Sequence, residues 1–397
     1  MRNKRLMMLP RTLVLCALLF SAGVLHAQEK ATPDLAPAKL PTEVLDAQQW
    51  KQLDESVERA LTWLVSQQKK DGSFPTLRHG QPGVTSLCLL AFLSQGHVPG
   101  EGKYGKQLKL SLDYIISCQK RSGILAAAAP DREKISRSVD HETGYTLVYN
   151  HAIAGLALSE CFAMAEVEQN EKIKTVIQKA IVATYQMQDF PRSRKVDEGG
   201  WRYLDIAENV DADLSVTAWQ LMFMRSAKNA GFEVEQSRIE RALKYVHRCF
   251  LKDRGTFTYK VGFQDRPSRG VAGAGVLAMA HAGLHETPEA QKAGDWILKS
   301  DFQSYNNIGK VRDVVHSGDR YHYGLLTCSQ AMYQLGGRHW REFFPPTVRV
   351  LIKNQNPDGS WKSEKMHNDG RFGNAYTTAI SVLALSACND ILPIFQR

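Results

Sequence analysis

The chain has 397 residues, 43% of them hydrophobic, and a formal net charge of +9 from 50 Lys and Arg against 41 Asp and Glu. Its basic residues are scattered among acidic ones and form no long block, which indicates a solvated surface and excludes a nucleic-acid groove. A chain of this length holds either several domains or one domain built from repeats.

The first 27 residues have the order of a secretory signal. Basic residues precede an apolar run from about Leu13 to Leu25, and Ala27 ends the stretch. This pattern is typical of a cleaved export signal, and the run is too short for a spanning helix. We therefore expect cleavage after Ala27 and a secreted or periplasmic protein with no spanning helix in its mature form. Cleavage would lower the formal charge from +9 to +5, because four basic residues and no acids are removed.

Residues 28–50 contain Pro33, Pro37 and Pro41 among alanines and charged residues, which predicts a linker. After it, one order of elements recurs six times: a helix with a single apolar stripe, a turn containing Gly, and a helix that is apolar on every side. The one-sided helices are predicted at 57–64, 108–118, 177–184, 239–246, 293–297 and 348–352. Their apolar partners are predicted at 84–93, 151–158, 216–224, 271–280, from about 323 to 332, and 376–385.

This alternation predicts the architecture. One-sided helices can face water, whereas helices that are apolar all round must be covered by neighbours. A closed ring of six inner and six outer helices covers them without capping repeats, which an open solenoid would need. We therefore predict an all-α fold, an (α/α)6 toroid over residues 51–390, with a tail at 391–397. The long connections 121–150 and 301–322 are expected at one end of the ring, where they would shape a binding mouth.

Six cysteines follow the signal, far apart and mostly inside apolar runs: Cys88, Cys118, Cys161, Cys249, Cys328 and Cys388. Close metal-binding spacings are missing, so the pattern favours buried thiols. Export would permit disulfides, whose pairing the sequence leaves open.

Several motifs resemble the Gln-Trp repeats of squalene-hopene cyclases and of single-ring bacterial proteins with prenyltransferase and squalene oxidase repeats. The turns are QKKDGSF (68–74), EGGWRY (198–203) and NQNPDGSW (354–361). The helical motifs are DADLSVTAWQLM (211–222), YHYGLLTCSQAMYQLGG (321–337) and YTTAISVLALS (376–386). The resemblance covers nearly all of 51–390 and implies an α/α toroid, while fold does not fix function. We expect a structural role for Gln68, Gln355, Trp201 and Trp361, because a Gln side chain can bind the free backbone groups of a helix end.

Asp213 and Asp211 are the leading catalytic candidates. They match the Asp-x-Asp-Asp motif of the cyclases, in which the position of Asp213 donates a proton to an alkene, but Leu214 replaces the last carboxylate. Such an acid must stay protonated in a dry, aromatic pocket. The competing interpretation is that Asp213 caps the helix that follows it.

His151, at the predicted start of the second inner helix, is a candidate base that would end a cation cascade. Its competing role is a hydrogen bond to a backbone carbonyl.

Aromatic rings at the starts or first turns of inner helices would stabilise a carbocation and bind substrate, or would simply fill the ring centre. These are Tyr149, Trp219, Tyr321, His322, Tyr323 and Tyr376.

Zinc prenyltransferases share the toroid, but Asp319, His322 and Cys328 lack their ligand spacing. The diphosphate-binding Asp-Asp-x-x-Asp motif is also absent, so we expect no metal and no cofactor.

Three functions remain open. The first is an exported terpenoid-cyclase-like isomerase or lyase that binds an isoprenoid and protonates it. The second is a non-catalytic ring that holds an apolar ligand or a protein partner. The third is a toroid acting on polysaccharide, for which Asp140, Glu142, Asp211 and Asp213 would have to converge.

Overall fold

The computed structural model describes residues 41–397 except 163, 165, 166, 205–209, 263–266, 308, 309, 312, 313, 316–318 and 365–368. The predicted signal and most of the predicted linker lie outside the described residues, so export stays a prediction. None of the described helices has the length and apolarity that a bilayer crossing requires.

Twelve α-helices in the described residues alternate between an outer and an inner layer. The outer helices are α1 (Ala47–Gln67), α3 (Gly105–Ser117), α5 (Val167–Gln188), α7 (Gln236–Arg248), α9 (Pro288–Leu298) and α11 (Gly337–Lys353). The inner helices are α2 (Gly83–Leu93), α4 (His141–Cys161), α6 (Leu214–Asn229), α8 (Arg269–Ala280), α10 (Tyr321–Leu335) and α12 (Gly373–Leu385). There are also two short antiparallel pairs, β1 (Phe250–Leu251) with β2 (Thr256–Phe257) and β3 (Lys310–Val311) with β4 (Val314–Val315). Short 3-10 helices lie at Pro41–Val44, Arg78–Gly80, Lys195–Asp197 and Asp369–Phe372.

The ring closes on itself. Each inner helix packs against the next, and α12 packs against both α2 and α1. Burial follows the predicted alternation: every residue of α2 is buried, whereas α7 buries only Ala242, Tyr245 and Val246. The predicted (α/α)6 toroid is therefore confirmed.

One inner helix begins earlier than predicted. α4 starts at His141 instead of near His151, because Asp140 caps it by accepting a hydrogen bond from the Thr143 amide at 2.9 Å. The first turns of α4 were missed because they bury polar residues, Thr143, Thr146 and Asn150, which interrupt the apolar pattern. Helix α1 likewise begins inside the predicted linker, with a capping box formed by Asp46 and Gln49. At the other end, Leu392, Ile394 and Phe395 are buried, and the Gln334 amide donates to the carbonyls of Phe395 and Gln396.

Glutamines near the ends of four outer helices tie each of them to the next outer helix. Their Nε2 atoms donate to a carbonyl of the neighbouring helix at 2.8–3.0 Å and to the carbonyl of a turn glycine in their own repeat at 2.8–3.2 Å. We call each such contact a glutamine joint. The four joints run from Gln68 to Gln107, Gln119 to Val176, Gln188 to Arg238 and Gln355 to Ser56. The last of them connects α11 to α1 and so closes the ring.

Candidate functional site

A cavity of about 350 Å³ lies where the inner helices begin. Its wall includes the first residue of α2, Gly83, and the N-caps of α8, α10 and α12, which are Ser268, Arg320 and Phe372. All six inner helices contribute side chains further in: Leu87, Ile153, Trp219, Val271, Tyr323 and Ile380. The cavity is therefore a central feature of the ring and depends on its closure.

Tyrosines form one side of the wall. The rings of Tyr145 and Tyr203 have centroids 4.4 Å apart, and the hydroxyls of Tyr203 and Tyr259 are 2.5 Å apart. Burial raises the pKa of the Tyr149 and Tyr203 hydroxyls well above the ordinary value. These tyrosines consequently stay neutral and present aromatic surface and hydroxyl groups to the cavity.

Cationic side chains also line the cavity. Arg202, Lys260 and Arg320 belong to its wall, whereas none of the described wall residues is Asp or Glu. Lys260 is only 3% exposed. The guanidinium of Arg202 lies 4.5 Å from the centroid of the Tyr203 ring. The described part of the wall thus combines apolar and aromatic surface with cationic side chains.

Asp213 lies behind the wall and caps α6. Its Oδ1 accepts hydrogen bonds from the Val216 amide at 2.9 Å and the Ser215 hydroxyl at 2.8 Å, and its Oδ2 accepts one from Arg202 at 3.0 Å. The Ser215 hydroxyl is in turn 2.6 Å from that of Tyr149. Because Ser215 and Tyr149 line the cavity, Asp213 is connected to it through two hydroxyl groups.

Two effects oppose each other at the Asp213 carboxyl. Complete burial is the larger effect and raises its pKa overall, although Arg202, Val216 and Ser215 favour the ionised form. At Arg202, burial lowers the pKa, but the attraction of Asp213 outweighs that effect and the pKa is raised overall. All three partners of Asp213 donate to it, and Arg202 is a cation, so the hydrogen-bond geometry favours a carboxylate and opposes the effect of burial.

Asp211 does not join Asp213 at the cavity. Its carboxylate is bound by Arg137 at 2.9 Å and by the Ser193 amide at 2.5 Å, and it is absent from the wall. Burial raises the pKa of Asp211, but these donors reverse that effect and hold it below the ordinary value. Asp211 therefore ties the long connection before α4 to the loop before α6.

His151 is not at the start of a helix, and that prediction was wrong because α4 begins ten residues earlier. The ring is fully buried; its Nδ1 accepts from the Leu125 amide at 3.2 Å and its Nε2 is 3.0 Å from the Thr184 hydroxyl. Burial lowers its pKa to about 4. His151 does not line the cavity and holds the Leu125 backbone against α4 and α5.

The predicted aromatic residues divide into two groups. Tyr149, Trp219, Tyr323 and Tyr376 line the cavity. The other two point elsewhere: the Tyr321 hydroxyl donates to the Phe302 carbonyl at 3.2 Å, and His322 Nδ1 lies 2.9 Å from Glu364 Oε1. Tyr321 and His322 are neighbours of Tyr323 in sequence but face away from the cavity, because successive helical residues point in different directions.

Sequence reasoning missed Arg202, Tyr203, Tyr259 and Lys260 as wall residues. All four come from connections between helices, where apolar periodicity gives no signal. Arg202 and Tyr203 directly follow Trp201 in the turn motif. The position of this motif shortly before Asp213 was the available sequence signal. Tyr259 and Lys260 are held beside α6 by the Leu214 amide, which donates to the Tyr259 carbonyl at 2.9 Å.

The three residues considered for zinc have other partners. Asp319 binds Arg269, His322 binds Glu364, and the Cys328 thiol donates to the Arg269 carbonyl. Over the described part of the chain, no three His, Cys, Asp or Glu side chains are grouped as metal ligands would be. The six cysteines after the signal are buried and free.

No model of a known protein family matches the sequence, and no curated protein matches it either. Solved structures do match the fold. The type II terpene cyclase MstE from Scytonema, in complex with geranylgeranyl dihydroxybenzoate, is 13% identical with a TM-score of 0.54, over 87% of this chain and 99% of that one. A glycosidase variant is 11% identical with a TM-score of 0.55, over 88% of this chain and 100% of that one.

An α-amylase from Clostridium perfringens is also 11% identical, with a TM-score of 0.52 over 83% of this chain and 97% of that one. Identities this low show the fold alone, and the neighbours differ in the reactions they catalyse. The chain therefore has a terpenoid-cyclase-like α/α toroid, a fold that glycosidases share.

Proposed function

We propose that the ring binds one elongated, largely apolar ligand of the isoprenoid type in the cavity at the inner-helix starts. The observation that supports this proposal is the apolar lining of the cavity, to which five different inner helices each contribute a side chain. These side chains are Leu87, Ile153, Trp219, Val271 and Ile380. Its volume of about 350 Å³ falls in the range of small-molecule sites. The prenylated ligand named with the terpene cyclase neighbour is consistent with such an occupant.

Action on polysaccharide has less support. That chemistry needs two carboxyl groups beside the scissile bond, and the described wall contains none. The acids considered for it have other partners: Asp140 caps α4, Glu142 binds Arg371 at 2.7 Å, and Asp211 binds Arg137. We therefore rank carbohydrate ligands below apolar ones.

Cyclisation started by proton transfer is a second candidate, favoured by one specific observation. Asp213 is completely buried and leads to the cavity through the Ser215 and Tyr149 hydroxyls. A proton-donating Asp213 would need its own O–H where Arg202, Ser215 and Val216 already donate. Because those partners favour the carboxylate, we rank catalysis below binding.

Farnesol titrated into the full chain, with calorimetric detection, tests binding. We expect saturable binding, and we expect Ile153→Trp to weaken it by at least about tenfold, because a larger side chain would fill the cavity beside α4. Val182→Trp on exposed α5 is the matched control and should bind as the wild type does. Failure of farnesol to bind, or equal binding by Ile153→Trp, would contradict the proposal.

Product analysis after incubation with squalene and geranylgeraniol distinguishes binding from catalysis. Asp213→Asn keeps a helix-capping side chain and removes the charge. Cyclised products from the wild type that disappear with this variant would support the second candidate. Product traces that are identical for both proteins would remove Asp213 as the proton donor.

A further inference from the structure

Three hydrogen-bonding side chains of the cavity wall form a chain: Arg202, Tyr259 and Tyr203. The Arg202 guanidinium donates to the Tyr259 hydroxyl at 3.3 Å, and the hydroxyls of Tyr259 and Tyr203 are 2.5 Å apart. Both tyrosines are half-buried members of the wall, so they offer surface to a ligand in the cavity.

This chain has one more proton than its internal hydrogen bonds use. A neutral tyrosine hydroxyl has one proton to donate and an oxygen that accepts, whereas a guanidinium only donates. Burial raises the pKa of both hydroxyls, so both keep their protons. The bond between the tyrosines uses one of these two protons, and the bond from Arg202 uses neither. In the described part of the chain the two hydroxyls form no other hydrogen bond, so one O–H is available to a ligand.

The cation determines which hydroxyl keeps the available proton. Hydrogen bonds in a chain polarise one another, so a hydroxyl that accepts a bond from a cation is a better donor. Because Arg202 donates to Tyr259, the favoured order of donation runs from Arg202 to Tyr259 and from Tyr259 to Tyr203. Tyr203 is therefore the end of the chain and the donor that a ligand meets.

The surroundings of Tyr203 give the ligand an orientation. The centroid of the Tyr203 ring is 4.4 Å from that of Tyr145 and 5.9 Å from that of Tyr149, and both of these rings belong to α4 and to the wall. Ile153 lies one turn further along α4 and lines the cavity as well. A polar atom at Tyr203 would consequently have apolar surface beside it, along α4.

We propose that the ligand of this cavity carries an oxygen atom that accepts a hydrogen bond from the Tyr203 hydroxyl, as an alcohol or an ether does, with its hydrocarbon chain directed along α4 toward Ile153. This inference rests on the proposed function, because it assigns a polar group to the ligand of the same cavity. It names Tyr203 as the residue that separates oxygenated isoprenoids from pure hydrocarbons.

The test compares three probes of the same chain type: farnesol, farnesyl methyl ether and β-farnesene. The first two have an oxygen that accepts, and the third is a hydrocarbon. Each probe is titrated into the wild type and into Tyr203→Phe, and the affinity of each oxygenated probe is divided by that of β-farnesene. Comparing these ratios between the two proteins cancels the different hydration of the probes. We expect both ratios to be about fivefold or more lower in Tyr203→Phe.

Two further variants complete the test. Tyr114→Phe removes a hydroxyl from α3, outside the wall, and should leave both ratios at the wild-type values. Tyr259→Phe leaves Tyr203 with its proton and should keep most of the preference for oxygen. A loss in Tyr259→Phe with no loss in Tyr203→Phe would overturn the assignment to Tyr203.

The three probes also distinguish this inference from the proposed function. A change for farnesol but not for the ether would mean that the ligand donates to Tyr203, which contradicts the inference. Equal ratios in the wild type and Tyr203→Phe would overturn the accepting oxygen and leave the apolar cavity standing. If no probe binds to the wild type, both proposals fail.

Discussion

Glu160 is buried near the end of α4, with 3% exposure. Its Oε1 accepts a hydrogen bond from the Ser226 hydroxyl at 2.5 Å. Burial raises the pKa of this carboxyl from 4.5 to about 7, although Ser226 opposes the rise. The folded chain consequently holds a proton on Glu160 at pH values where the unfolded chain has released it.

The stability contributed by neutral Glu160 is therefore complete below about pH 4.5 and is lost as the pH rises through about 7. We predict that Glu160→Gln matches the wild type near the lower value. At higher pH the variant should be more stable, by up to about 3 kcal/mol. Denaturant unfolding as a function of pH measures this difference. The exposed control Glu240→Gln on α7 should show no such gain, and equal pH profiles for Glu160→Gln and wild type would contradict the prediction.

Individual residues also show which parts of the site the sequence could predict. An Asp before an apolar run predicts a helix cap, and Asp213 caps α6. Its ion pair with Arg202 could not be predicted, because a turn of undetermined path separates the two residues. His151 was misplaced because the first turns of α4 bury the polar residues Thr143, Thr146 and Asn150, which hide the start of the helix from an apolar pattern.

At the scale of elements, the glutamine joint depends on a glycine. Gly359 has a φ of +94° and follows α11; a Cβ placed on it would lie 2.5 Å from the Arg59 carbonyl oxygen of α1. Gly231 has a similar φ of +89°, but a Cβ added to it would meet nothing within 4 Å. Both glycines have a left-handed backbone, but of the two only Gly359 lies against a neighbouring helix.

Replacing each glycine by alanine separates these effects. Both variants carry the cost of a left-handed backbone, about 1–2 kcal/mol. Gly359→Ala should lose roughly 1–3 kcal/mol more, because the added methyl group forces α11 away from α1. Thermal or denaturant unfolding compares them directly. Equal losses for the two variants would mean that the close contact of Gly359 with α1 tolerates a methyl group.

The helices themselves could be predicted because their burial is periodic. Each apolar stripe or run became a helix, and the order of outer and inner helices followed from the sequence alone. The connections were beyond this reasoning: Arg202, Tyr203, Tyr259 and Lys260 reach the cavity only because the ring brings distant loops to one end. The polar side chains of the wall therefore come together because the ring closes, and no single segment of the sequence predicts them.

At the scale of the whole molecule, the ring contains two kinds of contact between outer helices. Glutamine joints connect α1, α3, α5 and α7 in order, and α11 to α1. In the described residues, neither α7 nor α9 ends in such a Gln. Contacts between ionisable side chains are found there instead. His247 lies 3.2 Å from Glu289, between α7 and α9, and Asp295 forms an ion pair with Arg338 at 2.5 Å and contacts His339 at 3.0 Å, between α9 and α11.

These contacts are partly exposed, so salt should screen their charges, whereas the joints are hydrogen bonds between neutral amide groups and should respond little. We predict that raising the NaCl concentration from about 0.05 to 1 M accelerates amide hydrogen exchange in α9 relative to α3 and α5. Hydrogen–deuterium exchange with mass spectrometry measures each helix separately. A uniform response of all outer helices would contradict this difference.

The bond from Gln355 to the Ser56 carbonyl has a consequence for how such a chain can evolve. An open array of helix pairs can gain or lose a unit by duplication or deletion, since its ends are free. Here an extra pair would separate α11 from α1 and break the bond that unites the two ends of the sequence. The number of pairs is therefore fixed by geometry, and new specificity must arise through substitutions and loop changes at the mouth.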